Sequence, residues 1–227
     1  GQTSPLPAGY SLTASGSPLA PASVVMNPPS STTFLNTGRL FYQGFDYLYD
    51  PTNGYVGYKS ESSFAAVTPA LALTGNVNLP DGFSNSLPTV LFGATTLLEA
   101  GTGTISSTIS GTSGLTIGSG QMNLTGTNTF TGGMTVASGA ALGVAADSGM
   151  GALSGGLALT GGTLVALGSF SSARAVTLGA GGGTFNTNGS NLNFTTGIAG
   201  AGGLTKTGAG TMILGGNNSY TGGTVVN

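Results

Sequence analysis

The chain reads GQMNLTGTNTFTGGMTV at residues 120–136 and GTMILGGNNSYTGGTVV at residues 210–226. Aligned, the two stretches keep Gly120/Gly210, Met122/Met212, Leu124/Leu214, Asn128/Asn218, Phe130/Tyr220 and Val136/Val226. An internal repeat speaks about architecture before any local motif is weighed, because each copy has to be one structural unit.

The same grammar extends outward from both copies. From about residue 101, apolar runs of three to five residues recur at Leu115–Ile117, Met134–Val136, Leu142–Val144, Leu157–Leu159, Val176–Leu178, Leu192–Phe194 and Leu204–Lys206, with Gly, Asn or Ser between them. Glycine and β-branched residues are too frequent for helix, and the apolar period is near two. Many short strands suit a sandwich, a barrel or a β-solenoid. The repeat, the shortness of the runs and the glycine at nearly every corner select the solenoid. Successive coils then pair about 4.8 Å apart, with Leu124, Val136, Leu142 and Leu214 in inward columns at roughly 20–25 residues per coil. Asn128 and Asn218 are expected at corners, in left-handed turn geometry.

The first part of the chain is written differently. All ten prolines lie at or before Pro88, and six of the seven tyrosines at or before Tyr58. Proline at the density of residues 1–35 forbids helix and central strand, so an extended arm is expected there, with Ser23, Val24, Val25 and Met26 as a short strand. Residues 39–59 read as a hairpin closed by Asn53-Gly54. The expected organisation is a Pro/Ser-rich arm over 1–35, a hairpin cap with first coils over 36–95, and the solenoid over 96–227.

Composition excludes several chemistries. Only 4% of residues are charged, and the chain has no Cys and no His. That removes disulfides, Ser-His-Asp and Cys-His catalysis, and zinc sites of ordinary composition. The four cations, Arg39, Lys59, Arg174 and Lys206, are scattered, whereas a nucleic-acid binder neutralises about 6–10 phosphates. The run Phe64–Leu73 falls short of the ~20 apolar residues of a membrane span. Of the six carboxylates only Asp46 and Asp50 are near neighbours, and a solvated strand face with a turn-opening Asp accounts for them. Asp147-Ser148-Gly149 reads as a turn rather than a peptidase motif. No catalytic residue, metal site or cofactor is expected, and no nucleic-acid partner.

The segment GGLTKTGAGTMILGGNNSYTGGTVV (202–226) resembles the passenger-associated repeat of bacterial autotransporters. That repeat has the shape Gly-Leu-Thr-Lys-x-Gly-x-Gly-Thr-Leu-x-Leu-x-Gly-x-Asn-x-Tyr-x-Gly-x-Thr. Leu204, Lys206, Gly208, Gly210, Gly216, Asn218, Tyr220, Gly222 and Thr224 match it position by position. Residues 114–144 form a weaker copy, with Phe130 for the tyrosine and Ile117 for the lysine. The resemblance implies a right-handed parallel β-helix on a bacterial surface, secreted, and it implies no activity. Residues 45–58 also faintly resemble closing strands of β-rich peptidase domains, which would make the chain a spacer below a separate enzymatic domain.

The functional expectation is a non-enzymatic extracellular fibre or stalk segment. Gly1 is not an initiator, so the sequence reads as a processed or cut chain. The second copy stops at Asn227, where the first continues ASGAALGV. An open terminal coil is therefore expected, with Tyr220, Thr224, Val225, Val226 and Asn227 as an assembly edge. Ser23–Met26 is the candidate donor strand for head-to-tail association of copies, because unpaired edges template strand addition. The alternative is an adhesin in which Tyr42, Phe45, Tyr47, Tyr49, Tyr55 and Tyr58 grip glycans or host proteins, or instead cap the solenoid.

Overall fold

A computed structural model describes residues 70–227 throughout and, before them, the backbone of four short strands. The chain divides into two units, Gly1–Ala70 and Leu71–Asn227. In the first, β1 (Ser11–Leu12) pairs antiparallel with β2 (Val24–Val25). There too β3 (Phe45–Asp50) pairs antiparallel with β4 (Tyr55–Ser60), Tyr47 opposite Tyr58. The Asn53-Gly54 turn lies outside the described residues.

The second unit is an all-β parallel solenoid of about eight turns. It opens with β5 (Leu71–Leu79), β6 (Ser84–Asn85), β7 (Thr89–Ile105), β8 (Ile109–Gly111) and β9 (Leu115–Leu124). Then come β10 (Met134–Ala137), β11 (Ala141–Val144), β12 (Leu157–Thr160), β13 (Thr163–Ala166) and β14 (Phe170–Ser172). It continues through β15 (Val176–Leu178), β16 (Gly183–Asn186), β17 (Leu192–Phe194) and β18 (Ile198–Gly200). The last strands are β19 (Leu204–Thr207), β20 (Met212–Leu214) and β21 (Thr224–Val226).

Each coil visits three faces in turn. The first face holds the starts of β5 and β7, then β8, and later β14, β17 and β20. The second stacks the middle of β7, the first half of β9, then β10, β12, β15 and β18. The third stacks the end of β7, the second half of β9, then β11, β13, β16, β19 and β21. Leu115 pairs with Met134, Met134 with Leu157 and Leu157 with Val176, so these coils take 19, 23 and 19 residues. β9 rounds a corner within one continuous strand, where Gly120 takes φ +63, a left-handed conformation that costs glycine little.

Register converts this stacking into a core. Leu97, Ile117, Val136, Leu159 and Leu178 are successive partners on the second face. Met122, Leu142, Leu164 and Phe185 are successive partners on the third. All nine side chains are fully buried, and each contributes about 1.5–3 kcal/mol by leaving water. Alternate residues point outward, which places Thr96, Thr116 and Thr135 in one outer row and Thr163, Thr184 and Thr205 in another. The expected inward residues Leu124, Val136 and Leu142 are buried, and Leu214 on the last coil is half-buried.

Two charged residues stand inside this apolar interior. Arg174 is 1% exposed. Its Nε donates to Asp147 Oδ1 at 2.8 Å and its Nη2 to Asp147 Oδ2 at 3.0 Å. It also donates to the carbonyls of Asp147, Met150, Gly151 and Gly155 at 2.8–3.2 Å. Those carbonyls belong to the short 3-10 turn Asp147–Met150 and the residues after it, which occupy the first face in the longest of the three coils counted above. Asp147-Ser148-Gly149 is thus a turn, and Arg174, one coil later, staples it from within. Glu99 is 3% exposed, and neither carboxylate oxygen has a partner among the described residues. It sits where β7 and β9 fall out of register, between Leu98 and Thr102.

Arg174→Ala should destabilise the solenoid by about 3–5 kcal/mol, because it strands the Asp147 carboxylate and orphans buried carbonyls. Thermal or denaturant unfolding checks this, with Arg174→Lys recovering only part of the loss. Glu99→Met should do the reverse. Replacing a buried carboxylate that has no partner among the described residues by an apolar chain is expected to raise stability by about 1–3 kcal/mol in the same assay.

Candidate functional site

The strongest functional geometry lies in the repeats, and it begins with their asparagines. Neither Asn128 nor Asn218 is in the left-handed region; among the described non-glycine residues only Asn188 is, at φ 47. The turn-geometry expectation for this pair is therefore corrected. Both side chains reach down to the coil below instead. Asn128 Oδ1 accepts from the Ile109 N–H at 2.8 Å, and Asn218 Oδ1 from the Ile198 N–H at 2.9 Å. The following backbone bonds match as well. Thr129 and Thr131 donate to Ile109 and Gly111, as Ser219 and Thr221 donate to Ile198 and Gly200.

Asn128 also reaches up. Its Nδ2 donates to the Gly149 carbonyl at 2.7 Å, and its backbone N–H to the Ser148 carbonyl at 2.9 Å. One buried amide thereby bolts three consecutive coils together. Phe130, two residues on, is fully buried under the next coil. Gly151, at φ +84, leaves room for it, since a Cβ there would lie 2.8–2.9 Å from the Phe130 ring. The repeat's asparagine and aromatic are thus coil-stacking residues.

The two copies use one hydrogen-bond scheme on different faces. Leu115–Ile117 and Met134–Val136 lie on the second face, whereas the equivalent Leu204–Lys206 and Thr224–Val226 lie on the third. Met122–Leu124 lies on the third face and its counterpart Met212–Leu214 on the first. The repeat therefore advances by whole turns plus one face.

Of the residues singled out from sequence, the terminal coil is the group the structure brings together. β21 pairs with β19 on one side, and Asn227 N–H donates to the Lys206 carbonyl at 3.0 Å. Its other side has no strand among the described residues. Val225 and Val226 are 50% and 70% exposed. Tyr220 packs on the core, with its hydroxyl 2.6 Å from Thr224 Oγ1. Val24 and Val25 of the expected donor strand form β2, paired with Ser11 and Leu12, while Ser23 and Met26 lie outside the described residues. Phe45, Tyr47 and Tyr49 lie in β3 and Tyr55 and Tyr58 in β4. Tyr42 and the side-chain surroundings of all six aromatics lie outside the described residues.

Among the described residues no three His, Cys, Asp or Glu side chains come together. Two shallow grooves of about 280 and 240 Å³ run along corners lined by Gly161, Gly182 and Gly203 and by Gly133, Gly156 and Ala175. No described helix is long and apolar enough to cross a membrane.

Residues 115–140 and 204–227 match the family model described as the passenger-associated-transport-repeat. A 59-residue stretch, 25% of the chain, is 51% identical to "Adhesin BmaC autotransporter" of Brucella suis biovar 1 (strain 1330) and covers 2% of that protein. No solved structure matches the chain. These matches support the resemblance of 202–226 to the passenger repeats of autotransporters.

Asn128→Ala removes two inter-coil bonds and leaves a buried N–H and a buried carbonyl unpaired. It should cost about 2–4 kcal/mol and raise amide exchange at Ile109 and across Asp147–Ala152, as hydrogen-exchange mass spectrometry reads it.

Proposed function

We propose that this chain is a non-enzymatic structural segment of a bacterial surface protein, a secreted solenoid stalk that works by extension. The observation that carries the proposal is the shared hydrogen-bond scheme of the two repeats on different faces. A binding or catalytic surface repeated for its chemistry would keep one face. A unit that only has to stack the next coil is free to rotate. The outer rows of Thr96, Thr116 and Thr135 and of Thr163, Thr184 and Thr205 solvate such a stalk with hydroxyls rather than ions.

The stricter form of this proposal is a fibre of copies joined head to tail through Tyr220, Thr224, Val225, Val226 and Asn227. Ser23–Met26 would be the donor strand. The exposure of Val225 and Val226 on β21 supports it, and a heterologous contact of that kind does not close. Sedimentation velocity and negative-stain microscopy over a range of concentrations separate the two forms. Rods of one subunit's length at every concentration support the stalk. Filaments that vanish on deleting residues 1–35 support the fibre. A particle without an elongated solenoid would sink both.

The likeness to a protein named an adhesin favours one second reading. In it the tyrosines of β3 and β4, with Tyr42 and Phe45, bind surface glycans or host proteins. Replacing Tyr47, Tyr49 and Tyr55 together by Ser should then abolish binding to cells or glycan arrays while the far-ultraviolet circular dichroism is kept. Binding unchanged by the triple substitution would remove those residues from the reading.

A further inference from the structure

Residues 187–190 form the corner between β16 on the third face and β17 on the first. The Ser190 N–H donates to the Thr187 carbonyl at 2.7 Å, and the two residues between them, Asn188 and Gly189, have φ 47 and 83. Positive φ at both central positions is the tight turn that Asn-Gly favours. Both residues are exposed, and a Cβ on Gly189 would meet nothing within 4 Å. Yet two atoms of the turn are held by other coils. The Gly189 N–H donates to the Ala209 carbonyl of the coil above at 2.8 Å. Asn188 Nδ2 donates to the Ala166 carbonyl of the coil below at 3.2 Å. Thr187 is fully buried and strengthens the upper contact, its hydroxyl lying 2.6–3.1 Å from the carbonyls of Thr207, Gly208 and Ala209.

We propose that Asn188 is a site of spontaneous deamidation whose rate is set by the stacking of the neighbouring coils. A glycine after the asparagine leaves the attacking amide unhindered, because no Cβ shields it. When the turn opens, solvent hydroxide takes the Gly189 amide proton and the nitrogen attacks Cγ of Asn188. The N–Cγ bond forms as the Cγ–Nδ2 bond breaks, and Nδ2 gains a proton from water and leaves as ammonia. Water then opens the cyclic imide at either carbonyl, giving aspartate or isoaspartate at 188. Water is the only co-reactant. In the stacked chain the nucleophile is tied to the coil above and the leaving group to the coil below, so both bonds must open before reaction. Deamidation therefore marks chains whose coils have parted at this corner. The mark persists, because an aspartate has no donor for the Ala166 carbonyl and an isoaspartate puts an extra methylene into the turn. The inference is independent of whether the chain serves as stalk, fibre or adhesin.

The test incubates the full chain in mildly alkaline buffer, folded and unfolded in urea, and follows amide-to-acid conversion by peptide mapping with mass spectrometry. Mapping separates Asn188 from the other Asn-Gly pair, Asn53-Gly54. Conversion at Asn188 is expected in both samples, slower in the folded chain by about tenfold or more, as two hydrogen bonds must open first. Thr187→Val removes the hydroxyl from the carbonyls of the coil above and keeps the side-chain shape. Measured against its own unfolded sample, it should convert about fivefold faster than the wild type, the size of one hydrogen bond. No conversion at Asn188 in the folded chain, while the urea sample converts, overturns the proposal. Equal rates in the two wild-type samples overturn it as well, as does a folded Thr187→Val chain no faster than the wild type. Should that variant fail to fold, the wild-type chain in urea below its unfolding transition decides instead. Amide exchange of Gly189 and deamidation of Asn188 should then rise in step, and exchange that rises without deamidation overturns the proposal.

Discussion

Everything in the solenoid depends on backbone pairing between successive coils. A short strand has no hydrogen-bond partner in its own coil, so its amides are satisfied only from above and below. That constraint makes each coil answer to two neighbours at once. Inward and outward residues must keep the same parity from Leu97 to Leu178, and corners must be tight enough for the next coil to lie flat. It also shows where the pattern is under stress. The longer coil with the Asp147–Met150 turn is held by a buried guanidinium, and near the mismatch Glu99 is a buried carboxylate with no partner among the described residues.

The same constraint gives the repeat its meaning. The two copies are separated by four turns and one face, so they present their side chains in different directions yet make the same contacts to the coil below. What the repeat conserves is the way one coil holds the next. Asn128 and Asn218 satisfy the first N–H of the strand beneath, Phe130 and Tyr220 fill the corner, and Gly120 and Gly210 take positive φ to admit the turn. A joining device fits a solenoid, in which length is built by adding coils.

Much of this was legible in the sequence. The repeat, the period-two runs and the corner glycines point to stacked coils, and Leu124, Val136 and Leu142 are buried as their spacing predicts. The partners were not legible, because sequence periodicity shows when a coil returns but not what it meets there. Asn128 looks like a turn residue until Ile109 and Gly149 are seen on either side of it. Arg174 and Asp147, 27 residues apart, read as a stray cation and a stray turn acid. The rotation of the repeat by one face was also hidden, since it follows from the summed lengths of the intervening coils and from no single residue.

The chain lacks cysteine, so engineered pairs can map its coils without background. Thr184 and Thr205 are neighbours across two coils of the third face, while Thr177 lies on the second face opposite Ala199. Paired strands bring such positions within disulfide range, about 4.4–6.8 Å between Cα atoms. The double variant Thr184→Cys/Thr205→Cys is predicted to oxidise readily and intramolecularly, and Thr177→Cys/Thr205→Cys to stay reduced under the same conditions. The opposite pattern would put both repeats on one face and contradict the stacking account.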